Sequence, residues 1–472
     1  MSKRIALIAL AVLAAGCAAG PDYQRPAAPA VDRYTAEPLA APGVVEGSDV
    51  PAQWWTLFGS EALDRLVAAA LRANPNLHAA DAALRAAREN AAAQRGALLP
   101  GVDAHLAPTR QKTAGPVASG AASGAGLYTL HTAQLVVGYA VDVFGGTRRQ
   151  VEAADAQVDV ARYQRQAARL TLASNVVAAA IQEASLRAQL DATRDLAALA
   201  GKQLDAVRRQ RQAGQVGMAE VAAQEAALAQ VEAGMPALEK QLAQQRDLLA
   251  VLAGRYPGAD GGARFDFAGL ALPEALPLSL PARLVEQRPD IRAAEAELHA
   301  ASARIGVAQA ARLPDITLTA TLGSAALDAS TLFKAGTGFW SIGADLVQPL
   351  FKGGALMHQQ RAAQAQYDQA AAQYRAVVLA AFQDVADTLY ALAADAKALQ
   401  AMAAAERAAH RSLAIATRQW ELGAIAYPAV LQAQQAYQQA AIALIQARAA
   451  RYADAVALFQ ALGGGWQDGD AR

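Results

Sequence analysis

The chain is 472 residues long, and lysine plus arginine balance aspartate plus glutamate at 42 each, so its formal net charge is zero. Such a balance gives no electrostatic attraction to nucleic acid. Past the first residues no stretch approaches the roughly 18 consecutive apolar residues of a membrane helix, so a place in the bilayer would require a closed β-barrel, the other structure that satisfies its backbone groups in lipid.

The chain starts with Lys3 and Arg4, runs apolar from Ile5 to Ala15 and reaches the small residues Ala14, Ala15 and Gly16. That layout predicts a secretory signal over residues 1–16, because the apolar run is shorter than the about 20 residues needed to span a bilayer. Cys17, the only cysteine, follows directly. It could be a buried thiol, a disulfide partner or a lipid-modified new N-terminus; the count excludes a disulfide within the chain, and the proline-rich sequence downstream disfavours burial. Placed after Leu13-Ala14-Ala15-Gly16, it resembles the lipobox of bacterial lipoproteins, with Ala14 where that motif usually has leucine. A covalent lipid on Cys17 is therefore expected, no other cofactor is, and Ala18 implies by the same resemblance sorting to the outer membrane. Residues 17–60, with Pro21, Pro26, Pro29, Pro38, Pro42 and Pro51, read as an extended, lipid-anchored tether.

Beyond the tether the prolines thin out. None stands between Pro116 and Pro236, or between Pro349 and Pro428, which in Ala-, Gln-, Arg- and Leu-rich sequence predicts two very long helical stretches. The two halves are also similar to each other. Residues 74–100 align with 288–314 at an offset of 214, pairing Pro75 with Pro289, Leu77 with Ile291, Leu84 with Leu298 and Pro100 with Pro314. Further on the offset is 209, and Val176 meets Val385, Gly214 meets Gly423, Val221 meets Val430. This predicts a tandem repeat, with copies over 61–265 and 266–465 and a short tail at 466–472.

Within the first copy a helix is expected over 61–73, a second one capped by Asn74 with Pro75 in its first turn, and a stop at Leu99-Pro100-Gly101. Strands follow. Ile316, Leu318, Ala320 and Leu322 alternate with Thr317, Thr319 and Thr321; Trp340 to Leu346 alternate with Ser341, Gly343 and Asp345. Val102 to Leu106 and Leu135 to Val143 do the same, the latter less cleanly. Apolar-out, polar-in alternation marks a transmembrane barrel but also fits a half-buried sheet in a soluble domain. Two strands per copy give four per chain, too few to close a barrel; two chains would supply about eight and three about twelve.

Between the second strand and Gly214 a helix of roughly 65 residues is expected, on the order of 100 Å long. Val151, Val158, Leu172, Ala179 and Leu186 fall on a seven-residue spacing that predicts coiled-coil packing. Gly214 and Gly217 break the chain, and a second helix returns through Val221, Leu228 and Leu238 to Leu252. The second copy repeats this from Gly354, turning at Gly423 to Pro428 and ending at Leu462.

Five runs, "GPDYQRP" (20–26), "WWTLFGSEALDRLV" (54–67), "SLPARLVEQRPDIRAAE" (279–295), "IGVAQAARLPDITL" (305–318) and "QPLFKGG" (348–354), occur in the order found in one family. On them the chain resembles the outer-membrane factors, the TolC-like exit ducts of tripartite efflux pumps, in their lipoprotein (NodT/OprM-like) branch. The resemblance implies a mainly α fold with a transmembrane β part. Three chains would share a 12-stranded barrel, four strands from each, continued by a long α-helical barrel through the periplasm. The implied partners are a periplasmic adaptor, an inner-membrane RND transporter and small-molecule cargo conducted without covalent chemistry. The resemblance places the hairpin turns at the periplasmic tip, so Gly214, Val216, Gly217 and Glu220 of the first turn, and Arg418, Gly423, Ile425, Tyr427 and Gln432 around the second, are the candidate gate and adaptor-contact residues. Ala429 and Gln432 stand where relatives commonly have aspartate, which leaves Tyr427 and Arg418 as alternative gate groups. No enzyme is expected: "SGAGLY" (123–128) does not complete a dinucleotide fingerprint, and the six histidines lack metal-ligand spacing. A polypeptide-secretion duct on the same fold and a periplasmic coiled-coil scaffold lipoprotein are the competing readings.

Overall fold

The computed structural model describes residues 18–37, 39, 42–112, 127–259 and 262–466. The expected signal at 1–16, Cys17, most of "SGAGLY" and all but the first residue of the 466–472 tail lie outside these described residues. In chain order the elements are β1 (Val44–Glu46), a 3-10 turn (Trp54–Phe58), α1 (Glu61–Ala73), α2 (Pro75–Gly96), β2 (Gly101–Lys112), β3 (Leu127–Val141), α3 (Gly146–Gln212) and α4 (Met218–Leu252). There follow β4 (Leu276–Leu278), α5 (Pro281–Gln287), α6 (Pro289–Ala310), β5 (Asp315–Ala326), β6 (Gly338–Val347), α7 (Ala355–Glu421) and α8 (Tyr427–Ala461). The long helices α3 and α7 have 67 residues each, and the returning helices α4 and α8 have 35 each.

The chain divides into two compact units. The first draws on residues 18–26, 83–161 and 293–375 and carries a four-stranded antiparallel sheet of order β2-β3-β5-β6. Its helical part packs Leu298 and Ala301 of α6 against Ala370 of α7, with Tyr23, Tyr367 and Ala371 laid on them.

The second unit draws on residues 27–82, 162–292 and 376–466. Here β1 pairs in parallel with β4, Val44 opposite Leu276 and Glu46 opposite Leu278. Its core gathers Trp54, Phe58, Leu63, Leu284, Leu392, Leu458 and Phe459, all below 2 % exposed, and the Trp54 and Phe459 rings stack at 5.1 Å. Asn74 caps α2 as expected: its side chain accepts the Asn76 amide at 2.9 Å and donates to the Leu252 carbonyl at 2.9 Å.

Three expectations change. The proline-rich stretch is packed and not free over its later part, because aromatic side chains along it find burial: Tyr34 donates to the Ser279 carbonyl at 2.9 Å, and Trp54 and Trp55 are buried. The start of the α3 seam runs through Ala153, Ala156, Val160 and Tyr163, with Val151 and Val158 only half-buried; Leu172, Ala179 and Leu186 are buried as expected. A straight helix drifts about 20° per heptad against a fixed seven-residue spacing, so one stripe cannot stay on the seam over 67 residues. Finally, an 18-residue window of α7 is apolar enough by composition to pass for a membrane span, and 39 % of it is buried within the protein.

Candidate functional site

In an antiparallel ladder directly opposed residues point to the same side, so the register decides what each face of the sheet carries. Ala104, Leu135, Leu322 and Trp340 form one row across all four strands. Val102, Val137, Ala320 and Ile342 form the next on the same face, followed by Tyr139, Leu318 and Ala344, then Val141, Ile316 and Leu346. Rows on the opposite face read Asp103, Val136, Thr321 and Ser341, then Gly101, Gly138, Thr319 and Gly343, then Ala140, Thr317 and Asp345. Over these rows, four weakly alternating segments add up to one face of apolar side chains and one face that carries threonine and serine hydroxyls and the Asp103 and Asp345 carboxylates.

The apolar face is open to its surroundings within the chain: Leu106, Trp340 and Ile342 are 73 %, 73 % and 78 % exposed. On β3 the apolar band runs from Ala133 to Val141, a stretch within the about 9–11 residues that a tilted strand of a membrane barrel needs. Beyond Leu106 the same face of β2 continues as Pro108, Arg110 and Lys112, so β2 extends past the alternating stretch. The β3 strand likewise begins at Leu127, well before Leu135, and ends at Val141 without Val143. Among the described residues, both outer strands, β2 and β6, have a neighbour on one side only.

The second site is the pair of hairpin turns, both in the second unit. At the end of α3 the Gly214 amide donates to the Arg211 carbonyl and the Gln215 amide to the Gln210 carbonyl, both at 2.9 Å. At the end of α7 the Gly423 amide meets Trp420 and the Ala424 amide meets Gln419, both at 2.8 Å. This is the Schellman closure, which needs a left-handed residue, and Gly214 and Gly423 both have φ of 73°. Val216 and Ile425 just before the returning helices pack into the same cluster as Val221 and Val430 four residues into them, the spacing of a hydrophobic staple. Glu220 accepts the Gly217 amide at 3.0 Å and so closes the start of α4. Arg418, exposed, pairs with Glu421 at 3.0 Å; Gln432 and Ala429 are exposed on α8.

Tyr427 is placed differently from an open gate group. It is 3 % exposed, packs its ring on Trp420 at 4.9 Å and donates its hydroxyl to Oε1 of Gln224, which is itself fully buried. Nε2 of Gln224 donates in turn to the Ala200 carbonyl at 2.8 Å. Burial pushes the Tyr427 phenol up, so it remains a donor. Around this bond Leu204, Val207, Val221, Leu413, Trp420 and Val430 form one apolar cluster drawn from all four hairpin helices. Beside it a cavity of about 590 Å³ is lined by Asp195, Leu199 and Gln203 of α3, His410 and Arg418 of α7 and Tyr437 of α8. Gln224 is the residue that reading the sequence alone passes over, although it stands three after Val221 and four before Leu228, on the inward face of α4. Also unforeseen are Met218 and Leu422, apolar side chains 54 % and 67 % exposed at the two turns.

A sheet with one apolar and one polar face, in a chain of long helical hairpins, is the arrangement expected of a membrane-duct subunit. The chain belongs to the outer membrane efflux protein family, whose model matches residues 66–255 and 280–464. It is an outer-membrane channel protein of efflux pumps. It is 32 % identical to the pyoverdine export outer membrane protein OpmQ of Pseudomonas aeruginosa over 98 % of this chain and 97 % of the relative. It is 30 % identical to the toluene efflux pump outer membrane protein TtgF of Pseudomonas putida over 98 % and 96 %. Among solved structures, the outer-membrane channel OprN superposes with a TM-score of 0.89 at 28 % identity, covering 96 % of this chain and all of that one. The open-state MtrE channel of Neisseria gonorrhoeae does so with 0.82 at 27 %, covering 95 % and 99 %.

Proposed function

We propose that three copies of this chain close one 12-stranded barrel in the outer membrane and continue it as a helical duct through the periplasm, conducting small molecules outward. The observation that carries this reading is the register of the sheet: an apolar face of membrane height, a polar face behind it, and two open edges that lipid does not tolerate. The antiparallel sheet holds four strands, so the 12-stranded barrel that the resemblance to the outer-membrane factors implies takes three copies. The matching element order of the two halves, with 67-residue and 35-residue helices in each, supports a tandem duplication over 61–265 and 266–465. The names of the relatives speak of pyoverdine export and toluene efflux, which supports small-molecule cargo over polypeptides.

In this reading the turns form the periplasmic end, where an adaptor and an inner-membrane transporter engage. Exposed Met218, Leu422, Gln432 and Arg418 are the groups offered to an adaptor, and Tyr427 acts through Gln224 to hold the two hairpins of one chain together. Cys17 carries the lipid. Mass measurement in detergent micelles tests the assembly: a trimer released from membranes only by detergent is expected, and a monomer soluble in plain buffer would overturn it.

A further inference from the structure

The run Gly20 to Pro26 takes no part in the sheet or the turns, yet its side chains are fastened to the sheet-bearing unit. Arg149, in the first turn of α3, is 6 % exposed. A buried cation at a helix N-terminus is opposed both by desolvation and by the helix dipole, so it persists only with strong acceptors around it. The N-terminal segment supplies most of them. Nε donates to the Ala19 carbonyl at 3.1 Å, and Nη2 to the Asp22 carboxylate at 2.7 Å and the Gly20 carbonyl at 3.5 Å. Nη1 turns the other way, to Glu152 at 2.7 Å. Glu152 also meets His299 Nε2 at 2.8 Å, and the His299 ring stacks on Tyr23 at 4.3 Å. Arg25 pairs with Glu295 at 3.0 Å, and the Ala19 amide donates to the Phe144 carbonyl at 2.8 Å. The seat is shaped for backbone: a Cβ on Gly306 would lie 2.6 Å from the Ala19 carbonyl oxygen and 2.8 Å from Cγ of Arg149.

We propose that residues 18–25 are a docking strap, with Arg149 as its receptor, that fastens the lipid anchor expected at Cys17 to the sheet-bearing unit. This rests on the reading of Cys17 as lipidated. The consequence is that the anchor acts on the strand-bearing part of the chain through an ionic and aromatic clasp and not through loose polypeptide.

Amide hydrogen exchange on the full chain in detergent, read at the Ala19 amide that donates to the Phe144 carbonyl, tests it. Slow exchange is expected in the natural protein and in Cys17→Ser. Arg149→Gln should speed it by about tenfold, with Arg149→Lys in between, while β3 and β5 amides stay slow. A strap that exchanges as fast as free chain in the natural protein, or as slowly in Arg149→Gln, overturns the docking. Should Arg149→Gln also loosen β3, Asp22→Asn gives the answer, since that side chain is 92 % exposed and its loss disturbs little else. Faster strap exchange supports the clasp, and an unchanged rate refutes it. The mass of the N-terminal peptide reports the lipid separately: a protected strap without lipid refutes the anchor and not the docking.

Discussion

Tyr427 and Gln224 stand 203 residues apart, on the returning helices of different hairpins, and share one buried hydrogen bond. Between two residues that are 3 % and 0 % exposed, that bond ties the turn of one hairpin to the other inside a single chain. Tyr427→Phe leaves the Gln224 oxygen buried without its donor and should cost about 1–3 kcal/mol. Adding Gln224→Leu removes the stranded acceptor, so the double variant should lose less than the two single changes together. Thermal unfolding in detergent checks this, and strict additivity would argue against the coupling.

Asp454 on α8 has a buried Oδ2 that no donor among the described residues reaches. Burial first, and the Asp395 carboxylate of α7 second, push its carboxyl up to about 6, against a lowering pull from Arg451. Between about pH 4 and 6 the folded protein therefore holds a proton that the unfolded chain has released. Stability falls as pH rises through that window and stays lowered above it. Asp454→Asn should remove the fall, stabilising by on the order of 1 kcal/mol at pH 7.5 once solvent screening is allowed for, and by little at pH 4. Melting curves at the two pH values decide, with an equal gain at both counting against the carboxylate pair.

Leu322 and Thr321 are neighbours in β5 on opposite faces of the sheet. In lipid, Leu322→Arg near the middle of the apolar band should cost about 2–4 kcal/mol, whereas Thr321→Arg faces the water-filled side and should cost far less. The yield of detergent-extracted trimer separates them; equal yields would remove the membrane assignment of the apolar face.

A Cβ at Gly423 would meet nothing within 4 Å, so a substitution there is felt only through the backbone angle. Gly423→Ala should cost about 1–2 kcal/mol, the penalty of a left-handed residue, and Gly423→Asn distinctly less because asparagine tolerates that conformation. Chemical denaturation of the three proteins should rank them glycine, asparagine, alanine.

The elements that repeat a local rule were legible before any coordinates. Proline spacing located the long helices, the glycines located their turns, and threonine alternation in β5 showed its two faces. Contacts between distant segments were not. Tyr427 looks like a turn residue until Gln224 arrives from the other hairpin, and neither residue type announces the bond. The strap was hidden for a similar reason: Asp22 and Arg149 are ordinary charges in sequence, and only the approach of Ala19 to Gly306 makes one the partner of the other. The β2 strand was cut short because Pro108, Arg110 and Lys112 break the alternation while the ladder with β3 continues.

The two open edges of the sheet also bear on inheritance. A subunit whose β6 has lost the ability to pair still presents an intact β2, so it can enter the proposed trimer on one side and leave the other side unclosed. Such a copy would poison assemblies that contain it. In a cell making sound and damaged chains in equal amounts, only about one-eighth of three-membered rings would be free of damaged ones, and a lesion in this strand would behave as dominant even beside a good gene.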